Sequence, residues 1–196
     1  MIDENTQCTA FQGWRRIASG LLSDVALKAK AVLDQGDALA VTIFDDETSR
    51  PIEVDFRGTA DDVRRRLKAK AADETVAVPE QPRGPGRPKL GVVAREVTLL
   101  PRHWDWLNAQ PGGASVALRR LVEDARRAHE GRDRIRQAQD AANRFMMTMA
   151  GDLPGFEEAA RALFAGDRAR FDERIEAWPP DVRNYARELA APAFAN

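Results

Sequence analysis

The chain has 196 residues, 43 % of them hydrophobic and 31 % charged, with a formal net charge of −1. That length suits one large domain or two small ones with a real core. Cys8 stands alone, which excludes an internal disulfide framework and fits a reducing cytosol. With only two histidines beside it, a structural zinc site lacks donors, and the longest apolar runs are too short to span a bilayer.

The first residues, Met1-Ile2-Asp3-Glu4-Asn5, are acidic and polar, with neither the basic nor the apolar region of a secretory leader, so a cytoplasmic protein is expected. Residues 8–68 read as a small α+β unit. Gln12-Gly13-Trp14 forms a hairpin turn between residues 9–11 and 16–18. Leu21, Leu22, Val25, Ala26, Ala29, Val32 and Leu33 repeat at helical spacing, with Ser19 or Ser23 as cap and Gly36 as stop. Residues 39–44 read as a buried strand. Asp45 to Arg50 is a turn, and Ile52, Val54 and Phe56 alternate as a returning strand. Thr59 caps a further helix with Asp61 and Asp62 in its first turn. The expected order is ββαββα, in a domain spanning residues 1–72.

Residues 73–91 carry Pro79, Pro82, Pro85 and Pro88 with no apolar period, and are expected to form an extended, mobile linker. Residues 92–130 predict a strand followed by two helices. Residues 131–196 predict a helical bundle: a long helix from Arg132 to Ala150, broken at Leu153-Pro154-Gly155, then three shorter ones with Asp167 and Asp181 as N-caps. The fold class expected is α+β, mostly helical.

Charge is unevenly distributed. Residues 1–82 hold 11 Lys/Arg and 15 Asp/Glu, residues 83–136 hold 12 and 6, and residues 137–196 hold 7 and 10. The net charges are −4, +6 and −3. A basic block in an otherwise acidic chain is the footprint of a polyanion partner, although a basic helix that is merely solvated gives the same count.

The basic block begins Arg83-Gly84-Pro85-Gly86-Arg87-Pro88-Lys89, continues through Val97-Thr98-Leu99-Leu100-Pro101, and carries two helices split by Gly112-Gly113-Ala114-Ser115. A lone strand leaves both hydrogen-bonding edges open, and pairing with its own copy on a two-fold axis closes one of them. Such a two-stranded ribbon fits the major groove. Residues 94–127 resemble the ribbon-helix-helix class of DNA-binding proteins. The resemblance implies a homodimer in which Ser115, at the start of the second helix, holds a phosphate. Placing Val97 and Leu99 inward sends Glu96 and Thr98 outward, and this register is preferred, because the opposite one sends Arg95, Val97 and Leu99 outward and buries Glu96 and Thr98.

Gly86-Arg87-Pro88-Lys89 resembles the core of an AT-hook, with Pro85 where that motif has its first arginine. The resemblance implies an arginine lying in an A·T-rich minor groove. The whole chain also resembles a bacterial family known as a domain of unknown function, on residues 90–127 and on Ala150-Gly151-Asp152-Leu153-Pro154-Gly155-Phe156-Glu157.

The expectation is therefore a homodimeric DNA-binding protein of the nucleoid, either a transcriptional regulator or an architectural protein. Its DNA contacts would be Arg83, Arg87, Lys89, Arg95, Thr98, Ser115, Arg119 and Arg120, on double-stranded DNA that the arm biases toward A·T. Its dimer contacts would be Val97, Leu99, Trp104, Leu107, Leu118 and Leu121. The flanking parts would sense a ligand, bind a further protein or extend the dimer. The alternative is a dimeric adaptor, antitoxin-like, that binds protein and no DNA.

No catalytic set is recognisable, and neither enzyme activity, cofactor nor metal is expected. Cys8 has no histidine nearby in sequence. Asp45-Asp46-Glu47 lacks the glycine and later glutamate of a calcium loop. Trp104 and Trp106 are two apart and cannot share a helical face, so one is expected in the core and the other at a dimer contact. Met146, Met147 and Met149 read as core filling, and His103 and His129 as solvated.

Overall fold

The computed structural model describes residues 3–36, 39–74, 93 and 95–195. The chain divides into two units, one made of Met1–Val78 with Arg134–Asn196 and the other of Pro79–Asp133. The described elements are mostly helical, with one small sheet, as the sequence predicts.

The first unit is built on a three-stranded antiparallel sheet of β1 (Gln7–Gln12), β2 (Arg15–Leu21) and β3 (Val41–Asp45), in the order β2-β1-β3. Central β1 is buried along nearly its whole length, because both faces of the sheet are covered. The period-two alternation of a strand then sorts its side chains. Cys8 and Ala10 join Ala18 and Ile43 under α1 (Leu22–Leu33), against Leu22, Val25 and Ala29. Phe11 and Phe44 point to the opposite face, where the C-terminal helices lie.

The predicted hairpin is present, with Gly13 at φ 55° turning it. The caps expected for α1 are not used. Leu21 is the N-cap and bonds through no side chain; the amides of Leu22 and Ser23 donate instead to the carbonyls of Thr6 and Glu4. Thr59 caps α2 (Ala60–Glu74) reciprocally: the Asp62 amide donates to Thr59 Oγ1 and the Thr59 amide to Asp62 Oδ2, at 3.3 and 2.9 Å.

The fourth strand expected over Ile52, Val54 and Phe56 does not form. A single bridge joins Phe44 to Pro51, and the Ile52 amide reaches the Ile43 carbonyl at 2.7 Å. Pro51 has no N–H for a ladder. Further on, the Arg66 guanidinium of α2 takes the carbonyls of Asp55 and Arg57. The alternating side chains still pack as a strand's would, with Ile52 in the core and Val54 and Phe56 against it.

The second helix of the strand-helix-helix segment and the long helix expected from Arg132 are one helix, α4 (Gly113–Ala150), unbroken through Gly131. Gly131 lowers helix propensity by about 1 kcal/mol but carries no proline-like clash, so it does not stop the helix. In the first unit, α4 presents Ala138, Ala142, Phe145, Met146 and Ala150 to the core. Of the three methionines read as core filling, Met146 is buried and Met149 packs against the core, whereas Met147 is exposed. Then follow α5 (Phe156–Ala165), α6 (Arg168–Ile175), α7 (Pro180–Ala190) and a 3-10 turn at Ala191–Phe194.

Asp167 caps α6 as predicted, accepting the Arg170 amide. Asp181 does not cap α7. Pro179 is the N-cap, and the Asp181 carboxylate instead accepts the amide of Arg16 on edge strand β2 at 2.9 Å. The core between sheet and helices centres on four rings: Phe11, Phe44, Phe145 and Tyr185. Their centroid separations run from 4.8 Å for Phe145 and Tyr185 to 6.1 Å for Phe11 and Phe44.

Candidate nucleic-acid interface

The second unit holds the described part of the basic block up to Asp133, and Arg134 and Arg136 fall in the first unit. Arg83, Arg87 and Lys89, the arm residues, lie outside the described residues. Residues 95–100 form no strand and pair with no other described segment of the chain. Arg95, Glu96, Val97 and Thr98 are exposed and Leu99 is half-buried. The chain then enters α3 (Pro101–Asn108). Leu100 is its extended N-cap and Pro101 its first residue, where a missing N–H costs nothing. The amides of His103 and Trp104 donate to the Leu100 carbonyl.

After α3 the chain turns at residues 109–112. The Gly113 amide donates to the Gln110 carbonyl at 2.9 Å, and the Gln110 side chain reaches back to the Trp106 carbonyl. Gly112 and Gly113 adopt φ values of 85° and 75°. A Cβ on Gly112 would lie 3.1 Å from Val116, so the Gly-Gly pair serves both the turn and the close start of α4.

Ser115 is the third residue of α4, within the first turn. The amides of such a turn have no intrahelical acceptor and give that end partial positive charge. Arg119 folds back along the helix, its Nε donating to the Ser115 carbonyl at 3.1 Å and its Nη2 to Ser115 Oγ at 3.4 Å. Ser115 Oγ accepts from Arg119 and still has its own hydrogen to donate to an anion. Serine, guanidinium and first-turn amides together make a surface that can hold one phosphate oxygen group.

The helical period places Arg119, Arg120, Arg126 and Arg127 along one side of α4, and Leu118, Leu121, Ala125 and Ala128 along the other. The arginines are not equivalent. Glu123 draws Arg126 and Arg127, each at 3.5 Å, whereas among the described residues Arg119 bonds toward neutral Ser115. The three- and four-residue spacing from Glu123 already signals this pairing in the sequence.

Burial is scarce in this unit. Among its described residues Leu107 and Ala117 are the two that are buried. Of the side chains expected at the dimer contact, Leu107 is interior to the single chain. Val97, Trp104 and Leu121 are exposed, and Leu99 and Leu118 are half-buried. Trp104 and Trp106 are both exposed within one chain, so neither is the core residue the spacing suggests. Val116 and Val122 are exposed as well. Residues 124–132 of α4 are exposed at every position.

His103 and His129 lie on the surface, as expected. Cys8 is fully buried in the other unit, and burial, then the nearby Asp46 and Asp45 carboxylates, pushes its thiol up to about 12. A thiol so disposed is a poor nucleophile. Among the described residues no group of His, Cys, Asp and Glu side chains could hold a metal ion, and no helix is long and apolar enough to cross a membrane.

Sheet, helices and exposed second unit define a mostly helical α+β protein with a small antiparallel sheet. Residues 7–190 match the family described as "Uncharacterized protein conserved in bacteria (DUF2239)", and the chain belongs to that family. Neither the curated proteins nor the solved structures include a significant match to it.

Proposed function

We propose that this protein is a homodimeric DNA-binding protein, a transcriptional regulator or nucleoid architectural protein, that uses the second unit and the basic arm before it. One observation carries the reading. A unit that buries Leu107 and Ala117 among its described residues leaves Val97, Leu100, Trp106, Leu121 and Val122 exposed, in the segment of net charge +6. So small an interior cannot offset the conformational entropy of ordering the segment. A second copy laid on the apolar side chains supplies the missing burial. Residues 95–100, which form no strand within the single chain, then pair with their twin as a ribbon, and the arginine side of α4 is left facing solvent and phosphate.

In this reading Arg87 lies in an A·T-rich minor groove, and Arg83 and Lys89 contact phosphates. Arg95 and Thr98 sit on or beside the ribbon. Ser115, Arg119 and Arg120 hold the backbone at the start of α4. A second reading rests on the exposed Glu96 and on Glu123, which opposes the arginines beside it. There the same apolar surface dimerises an adaptor that recruits protein and leaves DNA alone.

Fluorescence anisotropy with A·T-rich and G·C-rich duplexes across a salt series separates the two. The first reading expects binding that weakens steeply with salt, tighter on the A·T duplex. Absence of binding at low salt in a dimeric protein would leave the adaptor standing. A monodisperse monomer at micromolar concentration would remove the ribbon.

A further inference from the structure

We draw no further inference here: the strongest candidate, the groove between the tip of the β1–β2 hairpin and the start of α7, lined by Gln12, Trp14, Arg15, Leu39, Pro180 and Asp181, is an exposed, partly apolar surface with nothing in the structure to show what covers it.

Discussion

The Tyr185 hydroxyl donates a 2.7 Å hydrogen bond to Asp46 Oδ1, joining α7 to the turn after β3 across 139 residues of sequence. Tyr185 is almost fully buried, with its ring 4.8 Å from that of Phe145. Its polar tip therefore needs a partner, and Asp46 provides one at the edge of the aromatic core.

Tyr185→Phe keeps the ring and removes the donor. The expected loss is about 1–2 kcal/mol, the range for a hydrogen bond to a partly screened carboxylate. Urea unfolding of the full chain measures it. An unchanged midpoint would mean that water replaces the phenol at Asp46 without cost.

Alkaline pH tests the burial of Cys8. In the folded protein its thiol is raised from 9.0 to about 12, so the folded state keeps a proton that the unfolded state gives up. The associated stability is complete below pH 9 and declines as pH rises toward 12. The Tyr185 phenol, raised by burial and by Asp46, acts in the same direction above its ordinary value. Cys8→Ala is expected to flatten the fall in unfolding free energy between pH 9 and 11, relative to its own value at pH 7. Parallel wild-type and variant curves would rule out the thiol as the titrating group.

Two acidic side chains of α7 meet Arg16 and should differ in weight. Asp181 accepts the Arg16 amide of an edge strand at 2.9 Å, whereas Glu188 pairs with the exposed Arg16 guanidinium at the same distance. Asp181→Ala leaves a strand N–H without its acceptor and is expected to cost about 1 kcal/mol. Glu188→Ala breaks a surface ion pair and is expected to cost about 0.5 kcal/mol or less. Thermal melts of both variants give the ranking, and the reverse order would contradict the edge-strand account.

The arginines of α4 offer a graded test of the proposed DNA contact. Arg119→Ala and Arg120→Ala are each expected to reduce the slope of log affinity against log salt by about 1. Arg126→Ala is expected to reduce it by less, because Glu123 already opposes that charge. Equal slopes for all three variants would argue against contacts focused at the start of α4.

Leu121 tests the proposed dimer. It is 42 % exposed in the single chain, so Leu121→Glu should change little within one molecule. Light scattering after gel filtration is expected to show the wild type at twice the chain mass and the variant shifted toward one. A variant that keeps the wild-type mass would move the dimer contact away from this side of α4.

Several features were legible because their causes are local. The hairpin follows from Gly13 between apolar runs, and the α2 start follows from Thr59 and Asp62 three residues apart. The core face of α4 in the first unit follows from apolar residues at helical spacing, from Ala138 to Ala150. Other features were decided by distant residues. Asp181 looked like a cap because acids favour helix starts, yet the Arg16 amide claimed its carboxylate. The fourth strand read correctly as an apolar alternation and failed as a ladder, because Pro51 has no N–H to donate and Arg66 takes the carbonyl of Asp55 within it and of Arg57 just beyond it. Trp104 and Trp106 could be assigned to different helix faces, but spacing could not reveal that neither face is covered within one chain.

By itself the sequence determined the α+β class, the mostly helical content and the concentration of positive charge in residues 83–136. Those properties depend on composition, periodicity and neighbours within a few residues. The tertiary structure decided that residues 134–196 share a unit with the N-terminal sheet, that Phe11, Phe44, Phe145 and Tyr185 form one cluster, and that Leu107 and Ala117 are the buried pair among the described residues of the second unit. Burial is a property of what comes to lie on a face, and an amphipathic pattern names the face without naming its cover.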